Sequence, residues 1–105
     1  MVTDASVVLG ALVDTGGFGA LARESMTGAD LHAPHLLDVE VASALRGRVL
    51  GGGLDPGLAQ EALSDLGDLA VERHPHRWLL GRAFELRDNL TTYDAVYVAL
   101  AEGLG

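Results

Sequence analysis

The stretch Leu31-His32-Ala33-Pro34-His35-Leu36-Leu37-Asp38-Val39-Glu40-Val41-Ala42-Ser43-Ala44-Leu45-Arg46 changes its period just after Pro34, and that change decides the fold. Leu31-His32-Ala33-Pro34 is too short for a helix and is stopped by proline, so it reads as a buried strand of the parallel type. From Leu36 to Leu50 apolar residues return at Leu37, Val41, Ala44 or Leu45, and Val49, which is the helical period. Gly51-Gly52-Gly53 stops that helix.

Working outward from this strand-to-helix unit, the same alternation recurs. Met1 to Thr3 is a β-prone opening, followed by Asp4-Ala5-Ser6, a helical apolar run from Val7 to Val13, and a turn at Asp14-Thr15-Gly16-Gly17. Phe18 to Met26 predicts a second helix, closed by Thr27-Gly28. Beyond the triple glycine, Asp55 as N-cap and Pro56 at the first helical position start a helix that runs to about Leu66. Asp68 to Arg73 alternates as a strand does, and Pro75 opens a helix through Trp78, Leu79, Ala83, Phe84 and Leu86. A last helix runs from Tyr93 to about Glu102. Short strands separated by helices imply parallel β structure with helical crossovers, an α/β layered fold in one domain over residues 1–105.

Composition narrows the function. A chain of 105 residues with 49% hydrophobic and 21% charged residues has a globular profile, and a chain of this size buries roughly two-thirds of its unfolded surface. Cysteine is absent, which excludes disulfides, thiolate metal sites and a thiol nucleophile. No basic-then-apolar leader opens the sequence, and its apolar runs fall short of the about 20 residues that span a bilayer. The expectation is a cytoplasmic protein with no membrane role. The net charge of −8, with arginine supplying all seven positive charges, excludes nucleic-acid binding through a broad basic patch. A nucleic-acid role would have to be local and mediated by cations.

Three acids stand where a charge is costly. Asp4 follows the first strand, where open α/β sheets bind ligands, and it also reads as a helix N-cap. Glu40 stacks with Leu37 and Ala44 at the margin of the apolar stripe, as a functional acid or as a solvated edge. Asp38, about 200° around the same helix, faces elsewhere and reads as a solvated first-turn acid. Asp94 opens Ala95-Val96-Tyr97-Val98-Ala99-Leu100-Ala101, apolar all round, and also fits a capping box with Thr91.

Taken in series, Thr3-Asp4-Ala5-Ser6-Val7, then Leu36 to Arg46, then Leu90-Thr91-Thr92-Tyr93-Asp94 with the apolar run behind it, resemble the PIN-domain ribonucleases of the VapC toxin type. The resemblance covers essentially the whole chain. It implies a PIN-like three-layer α/β/α fold with a parallel central sheet and a metal-dependent endoribonuclease. Acids at the positions of Asp4, Glu40 and Asp94 would hold Mg²⁺ or Mn²⁺, with Asp4 and Asp94 as direct ligands and Glu40 binding metal or orienting water. RNA as substrate, a small antitoxin as partner, and dimerisation are implied as well. Against the family pattern the domain is C-terminally incomplete: the strand carrying a fourth acid would begin near Leu104-Gly105. The expectation is reduced or absent turnover, with a binding module that keeps the antitoxin or dimer surface as the alternative.

Hard oxygen ligands suit Mg²⁺, which polarises phosphoryl oxygens and acidifies water. Carboxylates ~5 Å apart repel by roughly 3 kcal/mol per pair at an effective dielectric near 20, so three in a cluster store on the order of 10 kcal/mol. Ser6 reads as a support for Asp4 or as part of the helix cap. An aspartyl-nucleophile phosphatase would need an acid where Ser6 stands. A phosphate loop would need a lysine after Gly16-Gly17-Phe18-Gly19. The histidine pairs His32 and His35, and His74 and His76, lack helical i, i+4 spacing and read as structural or solvated. Trp78, Phe84, Tyr93 and Tyr97 read as packing residues.

Overall fold

Asp4 lies in extended backbone and its carboxylate accepts from the Val7 N–H at 3.0 Å, so the apolar run behind it starts as helix α1, Ala5–Val13. In the computed structural model, which describes residues 1–105, helix α2 (Gly17–Met26) follows, then strand β1 (Leu31–Pro34) and helix α3 (Leu36–Leu50). Helix α4 (Pro56–Asp68), strand β2 (Val71–His74), a 3-10 turn at Arg77–Leu79, and helices α5 (Leu80–Glu85) and α6 (Thr92–Leu104) complete the chain.

Local chemistry sets these boundaries. The α3 end is a Schellman turn: Gly52 has φ 79°, its N–H donates to the Val49 carbonyl, and the Gly53 N–H donates to that of Arg48. Asp55 accepts from the amides of Gly57 and Leu58, with Pro56 at the first helical position, as expected. A side chain at Gly19 would run into the Asp14 carbonyl, so glycine there lets α2 fold back beside the end of α1.

β1 is the middle of the sheet. It pairs in parallel with β2, Leu31 opposite Val71 and Pro34 opposite His74. On its other edge Val2 bridges His32, which donates to Met1 O at 2.8 Å and accepts from Thr3 N at 2.9 Å. One hydrophobic core joins Val8 and Leu9 of α1 with Leu31, Ala33, Leu37, Val41, Leu45, Ala59, Ala62, Leu66 and Val71. A second joins Leu79 and Ala83 to Ala95, Val96, Ala99 and Leu100, with Val2 packed against it. Helices thus cover a parallel sheet from both sides, the PIN-like α/β/α arrangement.

Four expectations change. Residues Asp68 to Arg73 do not form one strand, because α4 continues through Asp68 and the strand occupies only the four residues that β1 can pair, Val71–His74. The helix expected from Pro75 begins later, as the 3-10 turn and then the short α5. Trp78, Phe84 and Tyr93 are 57%, 67% and 62% exposed rather than core residues. The α5–α6 seam is filled by Ala83, Ala95 and Ala99, which leave no room for rings, and Trp78 lies instead over Gly103. Nor is α6 apolar on a buried surface all round, since Val98 and Ala101 face solvent.

Asp38 is ion-paired instead of simply solvated. Arg73 donates to Asp38 Oδ1 at 3.1 Å and to the carbonyls of Leu66, Leu69 and Val71. One guanidinium fork therefore pins the end of α4 and the start of β2 to α3, the helix that carries Glu40. Arg73→Ala should lower stability by about 2–3 kcal/mol, a fall in Tm of roughly 10 °C or more. Arg73→Lys should recover only part of it, because an ammonium cannot span the same acceptors. Thermal melts of the three proteins followed by circular dichroism check both outcomes.

Candidate active site

The three acids come from three separate elements: Asp4 from the cap of α1, Glu40 from the second turn of α3, and Asp94 from the first turn of α6. The structure brings them to one open cleft of about 440 Å³, lined by Asp4, Ala5, Ser6, Glu40, Asp94, Tyr97 and Val98. A larger hollow of about 680 Å³ lies between α1, α2 and the α4–β2 link, and it is mostly apolar, with Arg23 its one charged residue. Only the smaller cleft gathers acids from distant segments.

Each carboxylate is held differently. Asp4 Oδ1 accepts from the Ser6 hydroxyl at 2.9 Å and from the Val7 amide, so both the cap and the support read from sequence are present in one atom. Glu40 Oε1 accepts from the Tyr97 hydroxyl at 2.6 Å, a short charge-assisted bond between α3 and α6. Asp94 is the least engaged. Thr91 Oγ1 caps its amide at 3.1 Å, but the return bond of a capping box is not made, and the carboxylate has no hydrogen-bond partner within the protein. Its oxygens stay available to the cleft.

Tyr97 was expected to be a packing residue, and it is half-buried against the first core. It also supplies the cleft's one hydroxyl bond to a carboxylate from another element. Burial raises its phenol well above the ordinary tyrosine range, and the neighbouring charges of Glu40, Asp4 and Asp38 raise it further. The hydroxyl therefore remains a donor to Glu40 at any physiological pH.

The trio of acidic or histidine side chains whose donor atoms all lie within 4.8 Å of one another is elsewhere, His32, Glu72 and His74. Across the parallel rungs His32 Nδ1 stands 2.9 Å from His74 Nε2 and 3.3 Å from Glu72 Oε2, so these two histidines are structural, the first of the two readings, and bond to each other across the strands and not to their sequence neighbours. The pattern Glu72-x-His74 opposite His32 on a parallel neighbour was the available signal, legible only once the strand register is known.

A parallel α/β domain with carboxylates converging from its first, third and last helices belongs to the PIN class. Comparison with known proteins agrees. No family model matches the chain. The VapC ribonuclease Mb0985 of Mycobacterium bovis is 43% identical over 104 residues, covering 99% of this chain and 79% of that protein. Ribonucleases VapC1 and VapC3 of Mycobacterium tuberculosis are 41% and 36% identical over 98% and 100% of the chain, and 78% and 77% of their own lengths. The chain belongs to the VapC ribonucleases, a family of RNA-hydrolysing enzymes. No single helix is long and apolar enough to cross a membrane.

Removing the phenol tests the cleft's cross-link. Tyr97→Phe should cost about 1–2 kcal/mol at neutral pH through loss of a charge-assisted bond. The sign of the pH effect follows from the raised phenol. The folded state keeps its proton while the unfolded chain releases it above about pH 10. Wild-type stability from this residue is therefore complete below that pH and declines above it. Melts taken from neutral pH to pH 11 should show the gap between wild type and Tyr97→Phe narrowing only at the alkaline end.

Proposed function

We propose that the chain is a divalent-metal-dependent endoribonuclease toxin of a toxin–antitoxin pair, and that RNA phosphodiester bonds are cut in the cleft of Asp4, Glu40 and Asp94. The observation that carries this reading is the convergence of three carboxylates, 36 and 54 residues apart along the chain (40 − 4 and 94 − 40), on one open cleft.

The donor set fits Mg²⁺ or Mn²⁺: it is all carboxylate oxygen, with no nitrogen or sulfur, in an open cleft of about 440 Å³ with room for the waters that Mg²⁺ retains. Asp4 and Asp94 would hold the ion directly. When bound, the ion supplies positive charge against the phosphate and acidifies water beside it. In a protein of net charge −8 that local charge is also what admits a polyanion.

The side chains contribute orientation and proton control. Ser6 and the Val7 amide occupy lone pairs of Asp4 Oδ1 and fix its plane, which leaves Oδ2 without a hydrogen-bond partner in the protein. Tyr97 fixes Glu40 through Oε1, so Oε2 is free to orient a water or complete the ion's shell. Asp94, with no competing partner, requires no broken hydrogen bond before it binds. The phenol of Tyr97 stays protonated and so serves as a positioning donor and not as a base.

The partner in this reading is a small antitoxin protein. Phe18 and Leu21 on α2, 54% and 67% exposed, offer an apolar surface away from the acids. Exposed Leu80 and Phe84 on α5 offer a second, suited to dimerisation. A binding module that keeps these surfaces without cutting RNA is the competing reading, and the same assay separates the two.

Purified chain incubated with RNA should produce internal cleavage with Mg²⁺ or Mn²⁺ and none in excess chelator. Asp94→Asn should slow it by at least about 100-fold, since even partners that merely orient metal ligands are worth 10–100-fold. Cleavage that persists in chelator or is unchanged in Asp94→Asn contradicts the proposal. No cleavage by wild type, with a small partner bound equally by wild type and Asp4→Asn, favours the binding module.

A further inference from the structure

We propose that His32, Glu72 and His74 form a second metal site, for a zinc-class divalent ion, which clamps β2 to β1 and is chemically distinct from the acid cleft. The three donor atoms lie within 4.8 Å of one another, and they come from facing rungs of the sheet, His32 opposite Glu72 and His74 two residues along the same strand.

The distances suit such an ion. A tetrahedral centre with ligand bonds of about 2.0–2.1 Å places its donors roughly 3.3–3.4 Å apart. His32 Nδ1 stands 3.3 Å from Glu72 Oε2 and 2.9 Å from His74 Nε2, and all three donors lie within 4.8 Å, so closing around an ion needs the two imidazoles to part slightly and the Glu72 side chain to adjust. Glu72, with its side chain 65% exposed, can make that adjustment without disturbing the core.

The hydrogen bonding behind the site points the same way. Asp30 Oδ2 lies 3.0 Å from His32 Nε2 on the far side of the ring. A carboxylate there holds the proton on Nε2 and turns the Nδ1 lone pair toward the other two donors, the arrangement that commonly supports a metal-bound histidine. With that tautomer the Nδ1 lone pair of a neutral His32 accepts from His74 Nε2–H at 2.9 Å and lies 3.3 Å from Glu72 Oε2, and a divalent ion would take the place of the shared proton. A single divalent ion satisfies His32, Glu72 and His74 together. Asp30 is a positioning residue and does not touch the ion.

Two imidazoles and one carboxylate are a borderline donor set that favours Zn²⁺, Ni²⁺ or Co²⁺, whereas the all-oxygen cleft favours Mg²⁺. Three protein ligands leave a fourth position for water. An ion here ties β2 to β1 across a sheet whose two strands share only four rungs, and so stabilises the folded state by mass action.

The test is titration of the tag-free, chelator-stripped full chain with Zn²⁺ alone by calorimetry, and with Co²⁺ alone by visible absorption. Wild type and Asp94→Asn should each show one equivalent that gives the intense bands of four-coordinate Co²⁺, whatever weaker binding the acid cleft adds in wild type, and each should gain several degrees in Tm with Zn²⁺. Those bands should disappear in His74→Ala, and the affinity they report should weaken at least tenfold in Glu72→Gln, an exposed isosteric change that leaves the fold intact by circular dichroism. Absence of saturable binding in wild type, unchanged affinity in Glu72→Gln, or loss of binding in Asp94→Asn would overturn the proposal.

Discussion

β1 is four residues long, and the rest of the molecule depends on its being hydrogen-bonded along both edges. His32 gives its backbone N–H and carbonyl to Met1 and Thr3, while the rungs from Leu31 to Pro34 pair with β2. A strand with partners on both sides cannot slip without breaking two ladders at once, and a slip of one residue would exchange Leu31 and Ala33 for His32 on the core side. That register holds Thr3 at the edge of the sheet. It therefore fixes where Asp4 leaves the sheet and enters α1.

From this fixed point the cleft is built by two cross-links of different kinds. Arg73 ties α3 to the α4–β2 junction, and Tyr97 ties α3 to α6 through Glu40. Both reach the helix that carries Glu40, on opposite sides of it, so its acid is constrained from each neighbour. Asp94 is constrained by its backbone alone, through the Thr91 cap. Two of the acids thus have one oxygen anchored within the protein, and the third is free of any side-chain partner.

Much of this was legible in the sequence because it is local. Asp55-Pro56 and the triple glycine mark helix ends by chemistry that acts within a few residues, and the structure keeps both. Asp4, Glu40 and Asp94 each left a capping or solvated reading open when taken alone, and it was the resemblance over three motifs in series that grouped them; the structure places all three on one cleft. What escaped depends on distant partners. The start of β2 is set by the length of β1 and not by the alternation from Asp68. Arg73 finds Asp38 across 35 residues, and nothing local to the strand or the helix announces that pair. Tyr97 has the spacing of a packing residue, and it is one, yet its hydroxyl meets Glu40 only after α3 and α6 are docked. Trp78 and Phe84 have core-like spacing, but alanines at the α5–α6 seam leave no volume for them.

Register and cross-links bring Asp4, Glu40 and Asp94 from three distant segments to one cleft, the cleft proposed to bind a divalent cation. Backbone amide shifts of the isotopically labelled chain, followed by NMR through a Mg²⁺ titration, test it most directly. Saturable changes should concentrate at Asp4 to Val7, Glu40 and Asp94 to Val98, and should vanish together in Asp94→Asn, because one ion would join all three segments. Changes confined to a single segment, or no saturable change in the cleft at all, would contradict the account.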